Sequence, residues 1–167
     1  PPCEDWSTME KLAKEKEVVG IYISGHPLDD FKFEMKYFCN SKLEALKNME
    51  LHIGKTLAFG GIVSNVQRRI AKNGKEWAIF NLEGFDESFD FKIFNEEYLN
   101  FHRYLLPNNF VYFKILIKDG WVNRDTGKKS EPRMQFTEAK QLQDVLSIFA
   151  KKLILLLNIT DLETDFI

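Results

Sequence analysis

Apolar residues repeat with two different periods along the chain, and the period changes at Lys55. Before that residue the apolar positions recur every three or four residues, as on one face of a helix. The spacing predicts helices over 5–19, over 27–38 and over 41–49. We therefore expect an all-helical lead-in over residues 1–54.

After Lys55 the apolar positions alternate, which is typical of half-buried strands. The pair Asn73-Gly74 is a strong hairpin signal between the first two strand-like runs. The double glycine Gly60-Gly61 inside the first run predicts a bulge or a sharp bend, as at the corner of a small barrel. The predicted strands are 57–66, 77–82, 89–93, 110–117 and 134–139, with a helix over 95–105 between the third and the fourth.

Five strands in the order β-β-β-α-β-β are the connectivity of an OB-fold, a closed or nearly closed Greek-key barrel. The predicted class is therefore mainly β with helical flanks, with a five-stranded OB-fold barrel over 55–142. Residues 143–167 are expected to form a linker helix and the first strand of a further domain. That strand, around Leu153 to Leu157, is apolar, and we expect it to pair with a neighbouring chain or to lie along the barrel.

The basic residues in the middle of the chain collect in the two loops that wall the nucleic-acid groove of an OB-fold. Phosphate neutralisation and base stacking on aromatic rings dominate the binding of single strands. We therefore predict a site for single-stranded DNA without base readout. Its candidate residues are Arg68, Arg69, Lys72, Lys75 and Trp77 around the first loop, and Lys118, Trp121, Arg124, Lys128, Lys129 and Arg133 around the second.

Each candidate also has a purely structural interpretation. Hairpin loops are polar whether or not they bind anything, and Trp77 is equally compatible with a place in the core or at the rim of the barrel. Most other aromatic residues are expected in the barrel core, among them Phe80, Phe89, Phe91 and Phe113.

Composition narrows the class of protein. The 167 residues carry 23 basic and 25 acidic side chains, but residues 55–142 have a net charge of +3, which favours an anionic partner.

No apolar run reaches the length of a membrane span. Two cysteines are too few for a disulfide scaffold and indicate a reducing cytoplasm. The chain has no initiator Met, and we expect a piece of a longer protein.

Catalytic chemistry has no signature in the sequence. His26, His52 and His102 are scattered, without cysteine or carboxylate partners at metal-ligand spacing. No triad order, P-loop or glycine-rich nucleotide fingerprint occurs. We expect no cofactor, no metal and no catalytic constellation in this chain.

Several stretches resemble the alpha subunit of bacterial DNA polymerase III. Residues 15–29, EKEVVGIYISGHPLD, are similar to the stretch that precedes the OB domain in that family. Residues 60–63 (GGIV), 68–69 (RR) and 72–75 (KNGK) are similar to its first OB strand and loop. Residues 94–98, FNEEY, resemble its strand-to-helix junction, where a proline more often follows the Phe.

The resemblance implies a replicative polymerase whose OB domain lies near the single-stranded template. It also implies two protein partners for the full-length protein, the sliding clamp and the tau subunit of the clamp loader. The family's polymerase carboxylates lie upstream of this region, so we expect no polymerase activity from this chain alone. One alternative is a scaffold that positions polymerase, clamp and tau without binding DNA. An RNA-binding OB domain of the tRNA-synthetase type is disfavoured by the lead-in.

Overall fold

The structure is a computed structural model that describes residues 6, 8–20, 22–122 and 127–152. The predicted order of elements is confirmed, with small shifts at their ends. The helices are α1 (Thr8–Val19), α2 (Lys32–Phe38), α3 (Asn95–Phe101) and α4 (Leu142–Phe149), with 3-10 helices at Pro27–Phe31, Leu43–His52 and His102–Tyr104. The strands are β1 (Thr56–Ile70), β2 (Glu76–Glu83), β3 (Ser88–Phe94), β4 (Phe110–Lys118) and β5 (Arg133–Gln141).

The five strands form one antiparallel sheet in the order β3-β2-β1-β4-β5. Strand β1 pairs with β4 over its first half and with β2 over its second, and Ile62 is paired to both neighbours. A strand that changes partners midway bends the sheet, as the wall of a small barrel requires. The predicted class, mainly β with an OB-like arrangement of five strands, is confirmed.

Side chains rather than backbone hydrogen bonds bridge the two edge strands, since no ladder joins β3 to β5 within the described sheet. Phe91 of β3 lies 5.7 Å from Phe136 of β5 between ring centroids, in an edge-to-face arrangement. Phe80 stacks on Phe91 at 5.3 Å, and Phe113 meets Phe136 at 5.4 Å. Edge-to-face and offset stacks of this kind add stability beyond the area that they bury.

The four aromatic residues named for the core are found there, whereas several other aromatic side chains are exposed. Phe80, Phe91 and Phe113 are fully buried, and Phe89 packs against them while half-buried. Leucines of the 3-10 helix Leu43–His52 enter the same core, so the lead-in and the barrel share one hydrophobic cluster. The domain boundaries given above stay a prediction.

A second apolar cluster covers the outer face of β1 and β4. Outward side chains of the strands, such as Tyr112, meet residues of α2, of α4 and of the 3-10 helix Pro27–Phe31. We call these three helices the helical layer. Its buried members include Leu28 and Val145, at 0% exposure each.

The bulge does not lie at the double glycine. The β1–β4 ladder runs without a register shift through Gly60 and Gly61, and the shift in β1 falls between Ser64 and Gln67. Asn65 inside that bulge has a φ of 48°, a left-handed conformation that asparagine tolerates better than most residues. The glycines serve close packing instead: a Cβ on Gly61 would lie 2.6 Å from the Glu83 carbonyl oxygen.

Candidate nucleic-acid interface

Three side chains form a row across the outer face of β1, β2 and β3. Arg69 is paired with Trp77, and Trp77 is paired with Phe94, so the three project from the same side of the sheet. Ala78, Phe80 and Leu82 alternate with Trp77 along β2 and are fully buried, which leaves Trp77 on the outer face. We call Arg69, Trp77 and Phe94 the stacking row.

The members of the stacking row are in contact. The Trp77 and Phe94 rings are 5.3 Å apart between centroids and inclined by only 20°. The guanidinium carbon of Arg69 lies 5.8 Å from the centre of the Trp77 ring, within the range of a cation–π interaction. Phe94 keeps 47% of its surface exposed, whereas Trp77 is half-buried.

A groove of about 630 Å³ lies beside the row, between the unpaired edges of β3 and β5. Its volume falls within the range of about 300–1,000 Å³ that is usual for ligand clefts. Four cations line it: Lys75 from the β1–β2 hairpin, Lys92 from β3, Lys118 from β4 and Arg133 from β5. Residues from both predicted loops therefore meet at one groove.

Glu97 of α3 lines the same groove and is anchored to β5. Its carboxylate accepts a hydrogen bond from the backbone N–H of Phe136. Burial raises the pKa of the Glu97 carboxyl, and the charges of Lys118 and Arg133 act in the opposite direction. Glu96 is the second carboxylate in the lining, so cations outnumber carboxylates in the groove.

The β4–β5 loop continues as a short hairpin beyond the groove. Trp121 and Ser130 exchange backbone and side-chain hydrogen bonds, and Val122 forms a bridge with Lys129. Lys129 is paired with Asp119 at 2.9 Å, which lowers the pKa of that carboxyl. Trp121 is 72% exposed and is not among the residues that line the groove.

Not every predicted residue belongs to this arrangement. Arg68 is paired with Ala78 and projects from the opposite side of β1 to Arg69. Lys72 is exposed in the β1–β2 turn, and Lys128 is exposed in the β4–β5 hairpin. Arg124 lies outside the described residues, as does the predicted strand 153–157.

The sequence did not indicate several residues of the groove, among them Phe94, Lys92 and Glu97. A usable signal existed for the first two, because a short turn after Glu83 sets the β2–β3 register and places Phe94 opposite Trp77. No local signal identifies Glu97, since its position depends on the approach of α3 to β5.

The Ser-Gly-His-Pro-Leu run holds the lead-in to the barrel. The Nδ1 atom of His26 accepts from the Leu28 backbone N–H at 3.1 Å, and Asp29 accepts from the His26 N–H at 2.9 Å. The His26 ring contacts Phe85, in the β2–β3 turn, at 4.9 Å between centroids. Burial lowers the pKa of His26, which keeps the ring neutral and able to accept.

A second link joins the lead-in to the β2–β3 turn. The Glu87 carboxylate accepts from the backbone N–H groups of Leu43 and Glu44, at 2.7 and 2.9 Å. Lys16 forms an ion pair with Glu83. These contacts give the Ser-Gly-His-Pro-Leu run and its neighbours a structural role, since they hold the lead-in against the barrel.

The described ranges hold neither a metal-binding cluster nor a membrane-spanning helix. Within them, no group of three His, Cys, Asp or Glu side chains is arranged to hold a metal ion. None of their helices has both the length and the apolar character needed to cross a membrane.

Several known proteins are similar in sequence to this chain. No family model matches the chain. The DNA polymerase III subunit alpha of Saccharopolyspora erythraea is 32% identical over 117 residues, which are 70% of this chain and 10% of that protein. The subunit of Borreliella burgdorferi is 31% identical over 109 residues, 65% of this chain and 9% of that protein. That of Campylobacter jejuni is 36% identical over 97 residues, 56% of this chain and 8% of that protein.

Fold and groove define a small OB-like barrel with helical flanks. By sequence, the chain is homologous to a segment of the DNA polymerase III alpha subunit, which confirms the resemblance described above. It spans about one tenth of the length of these relatives.

Proposed function

We propose that this barrel binds single-stranded DNA and guides the template during DNA replication. Along most of the bound strand we expect no base readout. The observation that carries the proposal is the meeting of Lys75, Lys92, Lys118 and Arg133 in one groove beside the exposed ring of Phe94. Cations release counterions from phosphates, and aromatic rings stack with any base.

The open outer face of β2 and β3 supports this function. Strand β2 presents Trp77 and Ile79 there, and β3 presents Lys92 and Phe94. Stacking on one aromatic ring contributes about 1–3 kcal/mol per base. Phosphates that follow the stacked bases would then run along the cations of the groove.

For the longer protein we propose the activity named in its relatives, DNA-directed DNA polymerisation. The sliding clamp and the clamp-loader tau subunit are its proposed partners, and the cytoplasm is its proposed compartment. The segment described here is proposed to guide the template and not to catalyse. A scaffold role is a second candidate, favoured by the exposed rings of Phe33 and Tyr37 on α2, which contact each other at 4.6 Å between centroids.

Fluorescence anisotropy of a labelled oligodeoxynucleotide, titrated at several salt concentrations, tests DNA binding. Changing Arg69, Lys75, Lys118 and Arg133 singly to Ala should weaken binding. Each lost phosphate contact should reduce the slope of log affinity against log salt by about 0.7.

Two kinds of control sharpen the result. Arg68→Ala alters the same hairpin on the opposite side of β1, and Lys36→Ala removes a cation from α2; both should leave the slope nearly unchanged. Equal effects of Arg68→Ala and Arg69→Ala would contradict the proposed face. No binding at low salt would favour the scaffold role.

A further inference from the structure

We propose that the groove between β3 and β5 holds a single nucleobase stacked on Phe94, and that Glu97 selects bases with an exocyclic amine, such as cytosine over thymine. This inference rests on the proposed function, because it assigns one base of the bound single strand to a defined position. It also assigns the stacking platform to Phe94, with Trp77 as a positioning residue behind it.

The order of the stacking row identifies the open ring. Trp77 lies on the middle strand of the three, with the Arg69 guanidinium on one side and the Phe94 ring on the other. Both neighbours already contact its ring. Phe94 lies on the edge strand, keeps 47% exposure and lines the groove, whereas Trp77 does not line it. A base entering the groove therefore meets Phe94.

The groove exists because the barrel is not closed by backbone pairing between β3 and β5. On the β5 side, the Phe136 backbone N–H donates to the Glu97 carboxylate. That hydrogen bond holds the carboxylate at the wall of the groove. A carboxylate has several acceptor positions, so one donor leaves it able to accept another hydrogen bond.

The charges around Glu97 come from each element that faces it. Lys118 of β4 and Arg133 of β5 act on its carboxyl, and Glu96 is its neighbour on α3. Burial raises the pKa of Glu97 and the two cations oppose that rise; the ionised carboxylate is an acceptor only. The same cations lie where the phosphates flanking a stacked base can be neutralised.

Acceptor-only chemistry discriminates between the two pyrimidines. Cytosine carries an amino group at C4 that donates to a carboxylate, a pairing also used in groove readout of DNA. Thymine carries a carbonyl oxygen at C4, an acceptor whose partial negative charge would face the carboxylate. Adenine and guanine also carry exocyclic amines, but their larger rings change the stacking area, so the pyrimidine pair is the cleanest comparison.

The test compares oligodeoxycytidine with oligodeoxythymidine of equal length on the 167-residue chain, by anisotropy competition. Mildly alkaline buffer keeps cytosine unprotonated and Glu97 ionised. A well-made base contact is worth about 1–3 kcal/mol, so we expect the cytidine strand to bind at least about fivefold more tightly. In Glu97→Gln the amide donates as well as accepts, so the two affinities should become nearly equal. Glu50→Gln is the charge control and should preserve the ratio.

The stacking platform is tested by Phe94→Leu, which keeps an apolar side chain without an aromatic face. It should weaken binding of both strands by at least about fivefold, in line with the value of one stacked base. Phe33→Leu is the matched control, since Phe33 is 50% exposed on the helical layer. Trp77→Phe should weaken binding less than Phe94→Leu does, because a ring remains behind Phe94. A larger loss from Trp77→Phe than from Phe94→Leu would overturn the assignment of the platform.

The two proposals fail in different ways. Equal binding of the two strands by the unaltered chain, or a ratio unchanged in Glu97→Gln, overturns the base pocket and leaves DNA binding intact. Failure of both strands to bind at low salt overturns both proposals.

Discussion

The two outer faces of the barrel differ: helices cover one and leave the other open. On β1 and β4 the outward residues Ala58, Ile62 and Tyr112 are buried beneath the helical layer. On β2 and β3 the outward residues stay accessible, with Phe94 at 47% exposure. Strand alternation alone places side chains on both outer faces.

The composition of each face explains the difference. The covered face presents small and apolar residues, and Gly60 lets Met35, Cys39 and Leu142 approach the strand closely. The open face presents Arg69, Lys92 and Asp90, whose charges are costly to bury without partners. One face is therefore a packing surface, and the other stays in contact with water and is suited to a charged ligand.

The largest expected effect on stability concerns the helical layer, which covers the outer face of β1 and β4. Leu28 is fully buried between the 3-10 helix and the strands, so Leu28→Ala should lower the free energy of unfolding by about 2–5 kcal/mol. Phe94→Ala on the open face should cost less than about 1.5 kcal/mol, the upper value for one aromatic pair. Urea denaturation of the two variants measures both.

Equal losses of stability in Leu28→Ala and Phe94→Ala would contradict the distinction between the faces. A Leu28→Ile variant controls for side-chain shape, because it keeps the buried volume and should cost less than about 1.5 kcal/mol.

A smaller effect separates the two adjacent glycines of β1. A Cβ on Gly61 would press on the Glu83 carbonyl oxygen, which belongs to the β2 backbone and cannot move alone. Gly61→Ala should therefore cost about 1–3 kcal/mol. At Gly60 the obstructing atoms are ends of side chains, Met35 Sδ nearest, then Cys39 Sγ at 3.2 Å and Leu142 Cδ1 at 3.3 Å, and these can shift. Thermal unfolding should show the smaller loss for Gly60→Ala.

The smallest effect concerns the pH dependence of the link between lead-in and barrel. Burial lowers the pKa of His26, so the unfolded chain binds a proton more readily at this position than the folded chain. Its contribution to stability is therefore complete above the unfolded pKa of about 6.5 and is lost as the pH falls below that value. Protonation at Nδ1 also removes the acceptor of the Leu28 N–H.

Unfolding free energies measured from neutral to mildly acidic pH check this prediction. His26→Gln should remove the part of the slope just below the unfolded histidine value. The carboxyls of Glu15 and Asp29 also have a lowered pKa, but they titrate in a more acidic range. An unchanged slope in His26→Gln would show that the ring does not control this step.

Local patterns predicted much of the architecture. The Asn73-Gly74 turn joins β1 to β2, the alternation of Phe89, Phe91 and Ile93 gives β3 its inward face, and the helix after β3 lies where the stripe predicted it. The double glycine predicted a bulge or a sharp bend, and the bulge lies instead between Ser64 and Gln67, because a double glycine signals either an irregular ladder or a close approach. Only the neighbours of Gly60 and Gly61 distinguish these two cases.

The candidate site was predicted in part. The sequence placed Trp77 on the face of β2 opposite Ala78, Phe80 and Leu82 but did not decide which face is buried. It also indicated that two basic loops share one groove; Lys75, Lys118 and Arg133 do line one groove. The sequence did not show that Arg68 and Arg69 project from opposite sides of β1. That difference follows from the pairing of β1 with β2. Whether these residues bind DNA stays a prediction for the experiments above.

By itself, the sequence determined the order of the strands along the chain, the apolar composition of their inward faces and the family to which the chain is related. Those properties follow from short-range periodicity, turn chemistry and residue matches, which are local. The tertiary structure alone decided which outer face is covered, where the barrel stays open and that Glu97 meets β5. These outcomes depend on contacts between residues far apart in the chain, whose approach is set by packing and by the cost of burying charge.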